Sequence, residues 1–313
     1  MPLPRLALSV IGDEIGPSLD EMISFAQEHG VKRLDMRTVE GRNLLSMTKD
    51  EVIDISHALE KAGISVPTFV SPMFKWPAPG KPFHGGKVDF AFEFKQCPVE
   101  NVVRHSMEIA VILGAPSMRI FSYLRYDGFR PRDMLTLNRD LDELMRWAGH
   151  YDISLQLENE PVCNVGNIAE LANFFTPDEQ ASDQPVDEEN EEEEDFDRQG
   201  SQLPRQHCLR PLVDIANAWS IGEKPSDADI ATLAPLTTAI HLKDRDLAAR
   251  RTVPLGEGNV PWPAELRRLL SGVQAQEVLA SIETHCPHDG RNATARSLEG
   301  LRRIAAEIGV EIV

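Results

Sequence analysis

The stretch from Ser18 to Met36 reads SLDEMISFAQEHGVKRLDM and decides the fold, because it contains one helix, one glycine and one strand in succession. Apolar residues of its first half recur at helical spacing: Leu19, Met22, Ile23 and Ala26. Gly30 follows at the position of a left-handed helix C-cap. The run Val31–Met36 then predicts a strand buried on both faces.

This order of helix, glycine and strand returns along the chain, with Gly63, Gly114 and Gly309 at the corresponding positions. Leu135–Ala148 predicts a second clearly amphipathic helix. The eight runs that predict strands are Leu6–Ile11, Val31–Met36, Ser65–Val70, Ser117–Tyr123, Ile153–Glu158, Pro211–Asp214, Thr237–Lys243 and Val278–Glu283. Eight alternating units predict an α/β fold of the (β/α)8 TIM barrel type, as a single domain over residues 1–313.

A doubly wound open sheet is the main alternative to the barrel. It would place a glycine-rich phosphate-binding turn after the first strand. Gly12 and Gly16, the glycines found there, have the wrong spacing for that turn. The closed barrel is therefore favoured.

Two insertions interrupt the repeat. Pro72–Pro98 follows the third strand, so we expect it to form a pocket wall or a lid on the carboxyl face. Lys75 and His84 of this loop could reach the substrate, with simple exposure to solvent as the alternative. Residues 176–208, between the fifth helix and the sixth strand, carry twelve Asp and Glu against two Arg. This low-complexity stretch predicts a disordered, solvated loop on the amino face. Docking of a basic partner or weak calcium binding are the alternatives.

The charge and composition exclude several classes of function. The formal net charge is −18, of which the acidic insertion supplies −10 and the remainder −8, so no basic face for nucleic acid is expected. The chain has no run of ~20 apolar residues to span a membrane, and Leu6–Ile11 is too short for a signal peptide. Four scattered cysteines fit reduced thiols. We expect a soluble cytoplasmic protein, with homo-oligomerisation left open.

An ionisable residue stands at or near the end of each of the last four predicted strands. These residues are Glu158, Asp214, His241 and Glu283. Because barrel strands present their carboxyl ends at one mouth, the four side chains should converge. Three carboxylates and an imidazole would repel one another unless a cation neutralised them. The set predicts one divalent metal ion, Mn²⁺ or Mg²⁺ from its oxygen bias, with Co²⁺ and Zn²⁺ also suitable; a structural ion-pair cluster is the alternative.

Six segments carry a family resemblance through their order and spacing: Leu157–Pro161, Val213–Ala218, Gly222–Pro225, Ile240–Asp244, Gly256–Trp262 and Ile282–His285. Together they resemble the xylose isomerase-like TIM barrel superfamily, most strongly its sugar phosphate isomerase/epimerase family. The resemblance implies that Glu158, Asp214, His241 and Glu283 bind the metal. Many epimerases have a histidine where this chain has Asn217, which blurs the identity of the sugar.

The resemblance also implies an activity. The expected reaction is isomerisation or epimerisation of a sugar or sugar phosphate, by proton abstraction next to a carbonyl and an enediolate. Glu158 and Glu283 would be both metal ligands and the acid/base pair. The residues expected to bind the carbohydrate substrate are Asn217, Lys243, His285 and Lys75; orienting the metal ligands is the alternative role of Asn217 and His285. An ion pair with Asp244 or Glu160 is the alternative role of Lys243.

Three further functions are alternatives to an isomerase or epimerase. The same site could serve a lyase or dehydratase of a keto-cyclitol or 3-keto sugar, or the barrel could be a catalytically inactive binding subunit. The third is an AP endonuclease, a class of the same superfamily that needs additional histidines as metal ligands. Arg250–Leu255 offers no such ligand, so the sequence argues against this function. Arg119 and Arg125 flank the fourth strand, and either could hold a phosphate or a carboxylate, with packing of the barrel favoured for Arg119.

Overall fold

A computed structural model describes residues 2–81, 92, 99–129, 134–176 and 208–313. Eight parallel strands form its main sheet: β1 (Arg5–Ile11), β2 (Leu34–Asp35), β3 (Thr68–Phe69), β4 (Ser117–Ile120), β5 (Ser154–Glu158), β6 (Leu209–Asp214), β7 (Ala239–Leu242) and β8 (Glu277–Ile282). Every strand pairs with the next one in the chain except β2 with β3, which lie at the two ends of the sheet order, and β8 pairs with β1. All eight predicted strands are therefore confirmed in place.

The seam between β2 and β3 closes the sheet into a barrel. Isolated parallel bridges join Arg33 to Ser65 and Met36 to Phe69 across it. The regular ladder is interrupted there, which is why β2 and β3 are shorter than the predicted runs Val31–Met36 and Ser65–Val70. The (β/α)8 prediction is confirmed.

Helices connect the strands on the outside of the barrel. The α-helices are α1 (Leu19–His29), α2 (Lys49–Lys61), α3 (Val99–Leu113), α4 (Met134–His150), α5 (Ile168–Phe175), α6 (Ile215–Ser220), α7 (Asp227–Leu233), α8 (Trp262–Leu270) and α9 (Gly290–Ile308), with 3₁₀ turns at Gly12–Glu14, Leu44–Ser46 and Ala234–Leu236. Ser18 and Glu21 form a reciprocal capping box at the start of α1. Gly30 and Gly309 adopt the left-handed conformation at the C-caps of α1 and α9, as predicted.

Two short antiparallel hairpins extend loops on the carboxyl side of the barrel, and neither was predicted. One pairs Thr38–Val39 with Arg42–Asn43, and the other pairs Asp244–Asp246 with Arg251–Val253. The first turns through Glu40 and Gly41, both with positive φ, which matches the twist of a tight hairpin. These strands are too short to leave a periodic signal in the sequence.

The apolar core lies between the barrel and its helices. Phe25 of α1, Leu144 of α4 and Trp262 of α8 are at most 1% exposed there. The interior of the barrel is polar instead, and its side chains lead up to the carboxyl-end mouth. Within the described parts of the chain, no helix is both long and apolar enough to cross a membrane.

Most of both insertions lies outside the described residues, namely 82–91 and 93–98 in the first and 177–207 in the second. The expectations for His84 and for the acidic stretch therefore stay predictions. Lys75 is described, and it lies at the edge of the site.

Candidate metal centre

The structure brings the four strand-end residues together. Glu158 and Asp214 end β5 and β6, His241 lies within β7, and Glu283 follows β8 directly. All four are buried, with at most 2% of their surface exposed. Each offers one ligand atom, and these four atoms lie within 4.8 Å of one another. Ligand atoms on opposite sides of an ion with bonds of about 2.1 Å are about 4.2 Å apart, so the spacing suits a single ion.

Cationic side chains touch the carboxylate oxygens that face the centre. His241 Nδ1 lies 3.1 Å from Glu158 Oε1 and 3.3 Å from Glu283 Oε2. Lys243 Nζ lies 2.6 Å from Asp214 Oδ2 and 2.8 Å from Glu283 Oε2. The ion pairs of Lys243 are thus with two candidate ligands, whereas the sequence had suggested Asp244 or Glu160.

These contacts shift the pKa values of the cluster. Burial alone would raise the pKa of Glu158 and of Glu283, but their cationic neighbours, His241 for the first and Lys243 for the second, lower both. Burial would lower the pKa of His241, but the two glutamates raise it to about 10. Burial raises the pKa of Asp214. The site therefore stabilises positive charge among carboxylates, which is the electrostatic condition for holding a cation.

One oxygen supports the fit of a metal most directly. Asp214 Oδ2 is fully buried, and its close polar contact is the ion pair with Lys243 Nζ, whose geometry is not that of a hydrogen bond. Its partner oxygen Oδ1 accepts the backbone N–H of Asn217, which caps α6. A buried carboxylate is costly unless a cation is paired with it; Lys243 supplies one such charge here, and a bound metal ion would supply another. Three carboxylates and one imidazole nitrogen form a donor set that divalent ions accept.

The two glutamates have outer oxygens that face away from this centre. Arg119 Nη1 lies 3.2 Å from Glu158 Oε2. Arg37 Nη1 and His285 Nε2 lie 3.3 Å and 3.0 Å from Glu283 Oε1. Both arginines are 2% exposed. Each glutamate is thus held on one side by the centre and on the other by a cation, so its orientation is fixed.

Glu14 anchors this outer layer from the loop after β1. Its Oε1 accepts from Arg37 Nη2 at 2.6 Å, and its Oε2 accepts from Thr284 Oγ1 and from the backbone N–H of His285. His285 has a φ of 49°, a conformation that is uncommon for a residue other than glycine. Such strain often marks functional positions, and the side chain of His285 is 30% exposed at the mouth.

Asn217 lies behind Asp214, where it links β5 to β6. Its Nδ2 donates to the carbonyl of Asn159, and the side chain of Asn159 bonds both backbone groups of Asp214 at 2.8 and 2.9 Å. Asn217 is 7% exposed. The structure therefore places it where it orients a candidate ligand.

Lys75 borders the site on the side of β4. Its Nζ lies 3.4 Å from Glu160 Oε2 and 4.6 Å from the centre of the Phe121 ring. The same ring is contacted by Arg119, at 4.4 Å. Lys75 is thus connected to the candidate centre through Phe121 and Arg119, and it is 9% exposed.

Sequence reasoning missed part of this site. Arg37 and Glu14 were not singled out, and packing was favoured for Arg119 over its alternative of holding a carboxylate, whereas it contacts the carboxylate of Glu158. Glu14 and Arg37 closely follow the first two strands. A search for ionisable residues at the carboxyl ends of strands, which identified the candidate ligands on strands five to eight, would therefore have found them as well. Arg119 lies within β4 and not at its end, so this search does not select it. Only the direction of its side chain, into the barrel, places it at the site.

A closed parallel barrel with acidic and histidine side chains converging at its carboxyl mouth defines a class of TIM-barrel proteins whose sites are built on strand ends. Within that class, the chain belongs to the family described as xylose isomerase-like TIM barrel, which matches residues 23–304. The predicted resemblance is confirmed at this level. No curated protein matches the sequence significantly.

Three solved structures share the fold at low sequence identity. The IOLI protein with a binding zinc atom is 13% identical with a TM-score of 0.69, over 97% of this chain and 99% of that one. The 3-keto-D-glucoside 4-epimerase YcjR from E. coli is 13% identical with a TM-score of 0.60, over 94% and 100%. The probable 3-DHS dehydratase AsbF from Bacillus anthracis is 13% identical with a TM-score of 0.62, over 95% and 98%.

Proposed function

We propose that this chain is a divalent-metal-dependent isomerase or epimerase of a sugar or sugar phosphate. The observation that carries the proposal is the convergence of four buried ligand atoms, from Glu158, Asp214, His241 and Glu283, at the barrel mouth. The YcjR epimerase, similar in fold, supports the reaction class. Manganese is our preferred metal because of the oxygen-rich donor set; the similar IOLI structure carries zinc.

When bound, the ion would polarise the substrate carbonyl and its neighbouring oxygen. Glu158 and Glu283 would move the proton, one removing it from the carbon beside the carbonyl and the other returning it. Return to the opposite face of the same carbon gives an epimer, and return to the neighbouring carbon gives an isomer.

Other residues of the mouth would orient the substrate. Lys243 would steady the enediolate oxygen with its ammonium group, since its Nζ already lies among the ligand oxygens. His285, partly exposed beside Glu283, and Lys75, beside Glu160, would donate to substrate hydroxyls. Asn217 would act indirectly, through Asn159 and Asp214.

A metal-dependent lyase is the second candidate, and it is supported by the fold of the probable dehydratase AsbF. The same enolisation would expel water if the substrate carried a leaving hydroxyl at the β carbon. A barrel without catalytic activity that only binds its ligand is the third candidate.

One experiment separates the three. Deuterium incorporation from D₂O is followed by NMR for the Mn²⁺-loaded protein with a panel of keto sugars, inososes and their phosphates. Exchange at the carbon beside the carbonyl supports enolisation, and an added alkene signal identifies the lyase. Glu158→Gln and Glu283→Gln should each lower the exchange rate about 10²–10⁴-fold. The control Glu257→Gln, at an exposed ion pair with Arg296, should exchange like the wild type.

Absence of exchange with every substrate of the panel, in protein shown to hold its metal, contradicts the enzyme proposal. That outcome favours the binding subunit.

A further inference from the structure

The two carboxylate oxygens of each candidate glutamate face different neighbours. Oε1 of Glu158 and Oε2 of Glu283 face His241. The other oxygens face outward, and Arg119 Nη1 reaches towards both: 3.2 Å to Glu158 Oε2 and 3.9 Å to Glu283 Oε1. Arg119 is therefore the side chain that spans the two glutamates on their outer side.

Arg119 is itself held rigidly. Its Nε and Nη2 both donate to the carbonyl of Ser71, at 3.3 and 3.2 Å. The Ser71 hydroxyl donates back to the carbonyl of Arg119 at 2.5 Å. The guanidinium also lies 4.4 Å from the centre of the Phe121 ring. With Nε and Nη2 bonded to the carbonyl of Ser71, just after β3, and one face against Phe121, the guanidinium is restrained so that Nη1 points towards Glu158.

We propose that Arg119 is a positioning residue: its guanidinium holds Glu158 with Oε1 towards the metal centre and Oε2 turned away from it. Held in this way, Glu158 would bind an ion through one oxygen only. The catalytic part of this inference rests on the proposed function, whereas the mode of metal binding does not.

The competing explanation is that Arg119 only balances buried charge. A lysine would supply the same charge, but its single nitrogen lacks the planar fork that bonds Ser71 and Glu158 at once. Arg119→Lys therefore separates orientation from charge. Arg119→Met removes both, and Arg268→Met is the control, because Arg268 pairs with Glu265 and Asp227 on the outer helices.

The first test uses Co²⁺ alone as the probe. Visible absorption bands of bound Co²⁺ respond to the number and arrangement of its ligand atoms. We expect about one Co²⁺ per chain in the wild type and all three variants. The bands of Arg119→Lys and Arg119→Met should differ from the wild type, because a released Glu158 can bind through both oxygens. Arg268→Met should give the wild-type bands.

The second test uses the exchange reaction on whichever substrate the wild type enolises. We expect kcat to fall about 10–100-fold in both Arg119 variants, the usual cost of losing a partner that orients a ligand, with KM changed little. In a third variant, Arg119→Ala, guanidinium chloride at millimolar concentration should restore part of kcat. It should not do so in Glu158→Gln, and sodium chloride is the salt control.

Wild-type Co²⁺ bands together with wild-type kcat in Arg119→Lys would overturn the proposal, since charge alone would then suffice. Loss of Co²⁺ from Arg119→Lys would overturn it too, because the residue would then hold the site together rather than orient Glu158. If the wild type enolises no substrate, the proposed function fails, but the Co²⁺ bands still decide the role of Arg119.

Discussion

Asp214 shows how one side chain can serve both the fold and the site. Its Oδ1 caps α6 through the N–H of Asn217, while its Oδ2 faces the cluster. Because Asn159 also bonds both backbone groups of Asp214, the carboxylate has little freedom to turn. A ligand with a preset orientation costs less ordering when an ion binds.

Asn217 should matter through this preset orientation. In Asn217→Ala the bond from its side chain to the Asn159 carbonyl is lost, and with it part of the restraint on Asp214. We expect metal affinity to weaken about 10-fold, at the low end for an outer partner of a ligand. Competition with a chelator measures the change. Ser220→Ala, which removes a hydroxyl one turn further along, is the control; equal affinities in wild type and Asn217→Ala would contradict this role.

Asp35 should make stability depend on pH. It is fully buried at the end of β2, and this burial raises the pKa of its carboxyl group to about 6. The carboxyl group is thus harder to ionise in the folded state than in the unfolded one, where its pKa is near the ordinary value of 3.8. Its ionisation destabilises the fold progressively as pH rises from about 4 to 6.

Asp35→Asn should therefore be more stable than the wild type at pH 7, by up to about 3 kcal/mol for a shift of about two pKa units. The difference should disappear near pH 4, where the wild-type carboxyl group is protonated. Urea unfolding at the two pH values measures it, with the exposed Asp54→Asn as the control. A stabilisation that is the same at both pH values would contradict the pKa shift.

At the residue scale, the sequence predicted the cluster but not its surroundings. Glu158, Asp214, His241 and Glu283 could be found because strand ends meet at one mouth. The ion pairs of Lys243 with Asp214 and Glu283 could not, because they depend on which way a side chain crosses the barrel.

The loop after β7 shows how an element is shaped by one side chain. Asp244 is fully buried, and its carboxylate accepts the backbone N–H groups of Arg245, Gly256, Gly258 and Val260. A Cβ at Gly258 would overlap this carboxylate, so glycine is required there. The segment Gly256–Trp262, quoted above for its resemblance, is therefore explained by the folding of this loop.

Gly300, in the middle of α9, should tolerate alanine poorly. Alanine usually favours a helix over glycine by about 1 kcal/mol, but a Cβ here would overlap the carbonyl of Leu255. We expect Gly300→Ala to be about 1–3 kcal/mol less stable, as for other overpacked cores. Thermal and urea unfolding measure it, and Glu299→Ala, exposed on the same helix, is the control. A Gly300→Ala variant more stable than the wild type would contradict this prediction, because it would show that a Cβ at residue 300 does not overlap the carbonyl of Leu255.

At the element scale, strands and helices with long periodic patterns were predictable, such as β1, α1 and α9. The hairpin Asp244–Asp246 with Arg251–Val253 was not, because the bonds of Asp244 to distant amides hold it and no local period encodes them. The reduced β2 and β3 follow from the seam of the barrel, which is a tertiary feature.

Across the whole molecule, the described ends of the chain on either side of the acidic stretch lie at the opposite end of the barrel from the candidate site. α5 ends at Phe175 and β6 begins at Leu209, so the stretch joins the amino end of the strand that carries Asp214 at its other end. Replacement of residues 178–206 by a short Gly-Ser linker should leave metal binding and melting temperature nearly unchanged. Calorimetry and metal analysis test this expectation.

A full-length control with the Asp and Glu residues of this stretch changed to Asn and Gln separates charge from length. Loss of metal binding in the shortened chain but not in this control would mean that the length of the connection supports the barrel. Loss of metal binding in both the shortened chain and the full-length control would contradict the prediction that this stretch is a solvated loop with no role at the site.

Elemental analysis of Mn²⁺-loaded, gel-filtered protein is the direct test of one divalent ion held by four strand-end residues. We predict about one Mn²⁺ per chain in the wild type and almost none in Asp214→Asn, which keeps the shape of the side chain but loses its charge. Asp246→Asn, on the hairpin after β7, is the control and should load like the wild type. Wild-type protein without metal, or an Asp214→Asn variant with as much metal as the wild type, would contradict the account.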